Sequence, residues 1–266
     1  MNPALSVAMA LALAGPAAPA DAVVPAERFA PSWADRVVLY QGFSLGGGRA
    51  EIAPADLRID GASTPGAQGL FGAGFHPDPA KPRAALVLRS AAVRLAGSLT
   101  AMMWFRIAQP LAETDGMRLV ALRGPGLVSC FIAGKGEWCA LREPTFVTQV
   151  QYWPGIPNYN NPWGGRTAPT AGAWHHAAIT ISGGNEAAVY LDGEARDRIP
   201  VRGRPFAATD GGILELGAAP AERVDMTIDE IVVVDRTLLP WEIAEHVRAT
   251  LALAHRDQPP VMEPQP

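Results

Sequence analysis

Cysteine is scarce in this 266-residue chain: there are two, Cys130 and Cys139. That excludes a zinc site built on cysteine ligands and any framework of several disulfides. Basic tracts are missing as well. Two Lys and twenty Arg are scattered along the chain under a formal net charge of −4. Counterion-release binding to nucleic acid therefore has no electrostatic footprint. Beyond the first fifteen residues, no run approaches the ~18 uninterrupted apolar residues that a bilayer-spanning helix needs. Charged residues are few at 18%, while hydrophobic residues reach 48%, too apolar a balance for a disordered chain. Helical periodicity is nearly absent. A single stretch, Trp241 to Ala254, places Ile243, Ala244, Val247, Leu251 and Ala254 at spacings of three and four behind Pro240.

What the chain does have is 27 Gly and 25 Pro between short apolar runs. Val37–Tyr40, Ala85–Leu88, Ala101–Ile107, Arg118–Leu122, Ala177–Ile181, Ala187–Leu191 and Ile228–Val234 read as strands. Asp192-Gly193, Asp115-Gly116 and Gly183-Gly184-Asn185 supply turns. Many strands and one helix predict an all-β, two-sheet antiparallel jelly-roll sandwich with a short C-terminal helix, not an α/β enzyme.

The ends differ from this middle. Residues 1–22 read as a signal peptide, with an uncharged apolar start and small-x-small cleavage patterns at Ala18-Pro19-Ala20 and Ala20-Asp21-Ala22. The region before Arg28 has no basic side chain, which leaves an uncleaved Ala/Pro arm as the alternative. Residues 257–266 hold four Pro without periodicity and read as a disordered tail, so the folded domain is expected over 23–256. Export to a secreted or periplasmic location follows from the signal reading.

Several stretches resemble laminin G-like domains of the concanavalin A-like jelly-roll superfamily. They are Ser98 to Arg106, Trp174 to Thr180 followed by Val189-Tyr190-Leu191-Asp192-Gly193-Glu194, and Ile228 to Leu238 with Trp241-Glu242-Ile243. Tyr40 to Gly48 is similar to the family's opening strand, and the resemblance runs from roughly residue 36 to residue 250 in the family's order. It implies the jelly-roll fold, and it implies that a calcium ion could be held by Asp229, at a motif position, with Asp225 and Asp210 nearby. The chain departs from the family at Phe43-Ser44-Leu45-Gly46, where acidic residues are common.

Cys130 and Cys139 flank Gly134-Lys135 symmetrically. With that dipeptide as a two-residue hairpin loop, Cys130 falls directly opposite Cys139 in a non-hydrogen-bonded pair, whose short separation suits a disulfide. A bridge over so short a loop contributes roughly 2–3 kcal/mol. Without export, two reduced thiols are expected instead.

Catalytic patterns fail on context. Gly42-Phe43-Ser44-Leu45-Gly46 matches a nucleophile elbow, but at most one strand precedes it and glycines rather than a helix follow. His175 and His176 are neighbours that face opposite sides of a strand, and His76, His246 and His255 show no ligand spacing with them. At least one of the pair is expected to be a hydrogen-bonded structural histidine. No E-x-D-x-x-E occurs. Asp225 and Asp229 would stand ~13 Å apart on one strand face, beyond the ~5–9.5 Å of glycosidase carboxylates.

The segment that suggests ligand contact is Gln151 to Arg166. Tyr152, Trp153, Tyr159 and Trp163 offer flat rings for sugar faces, and Asn158, Asn160 and Arg166 offer groups for hydroxyls, in what reads as one long loop. The sequence therefore leads to a non-enzymatic, extracytoplasmic module binding carbohydrate or a protein surface. A structural or adhesive component of an envelope or virion is the alternative, and a polysaccharide-active enzyme is a third reading without a catalytic signature.

Overall fold

The short apolar runs assemble into two antiparallel sheets stacked face to face in a computed structural model. It describes residues 28–29, 32–43, 52, 58–61, 67–77, 86–90, 98–111, 116–123, 127–133, 145–151, 159–161, 169–182, 186–200, 212–218 and 224–257. The signal-peptide and Pro-rich tail segments lie outside these residues. In chain order the strands are β1 (Val37–Gln41), β2 (Arg58–Asp60), β3 (Leu86–Ser90), β4 (Leu99–Ile107), β5 (Gly116–Arg123), β6 (Leu127–Ala133) and β7 (Thr145–Gln151). Then come β8 (Tyr159–Asn161), β9 (Trp174–Ser182), β10 (Glu186–Leu191), β11 (Glu194–Pro200), β12 (Gly212–Ala218) and β13 (Met226–Val234), followed by helix α1 (Pro240–Asp257).

One sheet has six strands in the order β1-β13-β4-β9-β10-β11, and the other has seven in the order β2-β3-β12-β5-β6-β7-β8. All seven runs read from the sequence are strands, and the fold adds β2, β6, β7, β8, β11 and β12 to them. The main core fills the space between the sheets. Leu39, Met103, Phe105, Ile179, Val189 and Ile228 face it from the six-stranded sheet, and Leu86, Leu88, Val120, Leu214 and Leu216 from the seven-stranded one. Burying each such side chain is worth about 1.5–3 kcal/mol.

A second apolar layer lies on the outer face of the six-stranded sheet. There Tyr40, Met102, Ala178, Tyr190, Val232 and Val234 are covered by Phe29 and Trp33 of the N-terminal segment and by Leu238 and Ile243 at the start of α1. Double coverage explains why β13 is buried at all nine positions and reads as a largely apolar run. Helix α1 begins with Pro240, whose missing N–H costs nothing in the first turn. Glu242 accepts a hydrogen bond from the Leu239 N–H at 2.8 Å, half of a capping box. Arg236 donates to the same carboxylate at 2.6 and 2.9 Å, which holds it below the usual carboxylate range.

Asp192-Gly193 joins β10 to β11 with φ of +54° and +82°, the left-handed pair that a type I′ hairpin requires. Glycine is needed at 193 for a second reason. A Cβ there would meet the Ala244 Cα of α1 at 3.0 Å.

Candidate functional site

Antiparallel pairing puts cross-strand neighbours on a common face, so register alone orders the seven-stranded sheet into rows. Leu88, Leu214, Leu122, Val128, Val150 and Tyr159 form one row, whose first members face the core. The adjacent register row runs Asp60, Val87, Glu215, Ala121, Ser129, Gln149 and Asn160, and Val87, Ala121 and Glu215 of it lie on the face opposite the core. Within that outer face Arg89 is exposed, Val87 and Glu215 are half-buried and Ala121 is buried.

The segment 151–166 is not one loop. Gln151 ends β7, and Tyr159, Asn160 and Asn161 return as β8, paired with Val150, Gln149 and Thr148 at the edge of the sheet. Backbone pairing to an open strand edge outweighs the Pro/Gly content that suggests a loop. Of the ligand candidates, Tyr159 and Asn160 are thus placed in adjacent register rows at the sheet edge. Tyr152, Trp153, Asn158, Trp163 and Arg166 lie outside the described residues, on the two segments that flank β8.

The expected Cys130 hairpin is corrected by register. Ala133 pairs with Thr145 and Cys130 with Thr148, so β6 and β7 are joined by 134–144 rather than by a two-residue turn at Gly134-Lys135. Seven consecutive residue pairs between β6 and β7 set the register, and a local Gly turn signal does not compete with them. Cys139 falls within that connection, outside the described residues, and not opposite Cys130 on a hairpin strand.

At the outer face of the six-stranded sheet, β13 bulges between Asp229 and Val232, and Glu230 takes φ +50°. The bulge turns two consecutive carboxylates to one side. Asp229 is fully buried and accepts three backbone N–H groups: Leu70 at 2.7 Å, Phe71 at 3.1 Å and Glu230 at 2.8 Å. It staples the turn at 69–74 to the sheet. Gly69 packs directly on this carboxylate, and a Cβ there would also meet the Ala73 carbonyl oxygen at 2.6 Å. Glu230 accepts from the Tyr40 hydroxyl at 2.8 and 2.9 Å and from Arg28 at 2.6 Å. Arg28 also donates to the Tyr40 hydroxyl and lies 4.5 Å from the Phe71 ring centroid. Burial, and then the neighbouring Glu230, raise the Asp229 carboxyl well above its ordinary range. Burial raises the Tyr40 hydroxyl in the same way, again reinforced by Glu230.

This environment does not suit calcium at Asp229. A calcium ion needs six to eight oxygen ligands, whereas Asp229 is surrounded by N–H donors that occupy its oxygens. Asp225 is exposed and lies 3.5 Å from the Nε2 atom of His76. Among the described residues, no three His, Cys, Asp or Glu side chains gather as a metal site. Asp210 and Ser44 lie outside the described residues.

The two adjacent histidines separate as expected. His175 Nδ1 donates to Asp192 Oδ2 at 2.9 Å, which makes its Nε2 the acceptor for the Thr170 N–H at 2.9 Å. It is a hydrogen-bonded structural histidine that braces the Asp192-Gly193 turn, and Asp192 Oδ1 also accepts the His176 N–H at 2.9 Å. His176 points the other way, to the outer face, where its ring meets His246 of α1 at 5.4 Å between centroids. Sequence spacing gives no sign of that meeting. The detectable signal is that His246 lies one turn from Ile243 and Thr250, on the buried stripe of α1.

Solved structures with this fold include the botulinum neurotoxin serotype D binding domain (10% identity, TM-score 0.60, covering 83% of this chain and 52% of that one). A second is the binding domain of botulinum neurotoxin DC in complex with rat synaptotagmin II (13% identity, TM-score 0.57, covering 81% and 52%). A third comes from work describing cell entry of botulinum neurotoxin type C as dependent upon interaction with two ganglioside molecules (13% identity, TM-score 0.56, covering 81% and 51%). The chain thus matches about half the length of each, and at these identities the likeness concerns the fold. No curated protein sequence matches. No helix among the described residues is long and apolar enough to cross a membrane. Residues 84–244, well over half of the chain, match the family Laminin_G_3, and the protein belongs to the concanavalin A-like lectin/glucanase superfamily.

Proposed function

We propose that this chain is a non-catalytic, extracytoplasmic binding module whose ligand is a glycan, held at the β7–β8 end of the seven-stranded sheet. The observation that carries this reading is the polar register row Ser129, Gln149 and Asn160, which leads to the sheet edge at β8, with Tyr152 and Trp153 in the chain before that strand and Trp163 in the chain after it. Amide and hydroxyl groups spaced at the ~4.8 Å strand separation match the hydroxyls of an extended sugar chain, and rings from 152–158 and 162–168 would stack on its apolar faces. The gangliosides in the description of the type C neurotoxin structure give a precedent on this fold for glycan ligands. Rat synaptotagmin II in another gives one for a protein surface.

Glycan-array binding of the full chain, with calcium and with EDTA, tests the proposal. Binding that persists in EDTA and is lost in the double variant Trp153→Ala, Trp163→Ala supports it. Binding unchanged in that variant moves the site elsewhere. Absence of binding to any glycan overturns the reading in favour of a protein partner or an envelope component. Export is tested separately, by the N-terminal sequence of the mature protein: cleavage after Ala20 or Ala22 supports it, and an intact start overturns it.

A further inference from the structure

Between the six-stranded sheet and α1 runs a file of aromatic rings that the proposed binding surface does not use. Trp104 of β4 meets His176 of β9 at 5.2 Å, His176 meets His246 of α1 at 5.4 Å, and His246 meets Trp33 at 5.4 Å, all edge-on. His176 is 0% exposed and His246 3%. All four imidazole nitrogens, both indole Nε1 atoms and the Thr250 hydroxyl are buried without a hydrogen bond of normal geometry. The Arg28 backbone approaches His246 from the N-terminal segment.

The charged groups on the surrounding elements are engaged elsewhere or face solvent. On α1, Glu242 is paired with Arg236, while Glu245 and Arg248 are exposed. At the β10–β11 turn, Asp192 serves His175 and the His176 backbone. At the bulge of β13, Asp229 is held by backbone N–H groups, and Glu230 by Arg28 and Tyr40. Among the described residues no carboxylate faces the pair to neutralise an imidazolium. A cation formed here loses its hydration for no more than the Arg28 backbone contact to His246, and undocking the helix restores it.

We propose that His176 and His246 form an acid-operated latch: with both rings neutral α1 stays docked, and protonation releases it from the sheet, uncovering the apolar outer face around Met102, Val232 and Val234. Burial holds His246 down at about 4, and burial together with His246 lowers His176 well below the ordinary histidine range. Against an unfolded value near 6.5, His246 alone would weaken docking about thirtyfold between pH 7.5 and pH 5.

Hydrogen exchange of the full chain tests the latch, with rates corrected for the intrinsic effect of pH. Amides of 243–254 should lose protection at least tenfold between pH 7.5 and 5 while those of β5 keep theirs. The double variant His176→Phe, His246→Leu should abolish the change, and His255→Ala, at an exposed position, should leave it intact. Helix protection that stays flat with pH, or a loss that persists in the double variant, overturns the proposal. If the double variant does not fold, histidine NMR of the unaltered chain decides. Two imidazoles that titrate together with helix release, below 6.5, support the latch, and titration without helix release overturns it.

Discussion

In the six-stranded sheet, β13 is buried at every position and β4 at eight of nine. In the seven-stranded sheet, β3 alternates: Leu86 and Leu88 are buried, Val87 is half-buried and Arg89 is exposed. Both sheets share one core, so the difference lies in their outer faces. One is sealed by α1 with residues 28–29 and 32–36, and the other belongs to the sheet that carries the register row from Asp60 to Asn160. On the sealed face a polar group must be satisfied internally or shed its charge, which is why the displaced pKa values of Tyr40, His176, Asp229 and His246 all occur there. Those groups hold the fold together. The ligand contact we propose lies on the other sheet, at its β7–β8 end.

The contrast can be broken most severely at Asp229. Asp229→Ala leaves three buried N–H groups without an acceptor and should destabilise the protein by about 3–5 kcal/mol, measured by urea unfolding. Acid should act on the same face by a comparable amount. His246 has a depressed folded pKa of about 4, so its stabilisation is complete above 6.5 and is lost as pH falls from 6.5 towards 4, by about 3 kcal/mol. Asp229 runs the other way. Its raised pKa gives a contribution that is full at low pH and is lost as pH rises through the folded value, so a global midpoint will understate the loosening of α1 that local exchange detects.

A smaller effect is expected from Gly69→Ala, whose Cβ would press on the Asp229 carboxylate and the Ala73 carbonyl. We expect a loss of about 1–3 kcal/mol, read as a lower thermal midpoint. On the other sheet, Gln149→Ala with Asn160→Ala should leave stability within about 0.5 kcal/mol while weakening glycan binding at least tenfold. Stability lost with binding unchanged would reverse the roles assigned to the two faces. The smallest effect belongs to Arg36→Ala. It removes a 2.6 Å ion pair with Asp235 in which both side chains are nearly half exposed, and the thermal midpoint should not move measurably.

Much of this contrast is legible along the chain. Met226-Thr227-Ile228-Asp229-Glu230-Ile231-Val232-Val233-Val234 is apolar at six of nine positions, including four in a row, because both of its faces are covered. Leu214-Glu215-Leu216 alternates because one face of its strand is turned away from the core. The Asp229-Glu230 interruption is equally visible, but its meaning is not. Asp229, which suits a calcium ligand by family resemblance, serves as a backbone staple once a bulge and the turn at 69–74 surround it. The Cys130 hairpin shows the converse error, a local turn signal followed where long-range register decides.

The sequence by itself determined the class of fold, most of the strands, the Asp192-Gly193 hairpin and the C-terminal helix. These follow from side-chain period and backbone preference, which are set within a few residues. The tertiary structure alone decided that His176 meets His246, that Asp229 receives N–H groups from Leu70 and Phe71, and that Asn160 joins Gln149 and Ser129 in one row. Each of these joins residues from separate elements, and only the docking of a helix or the register between strands brings such residues together.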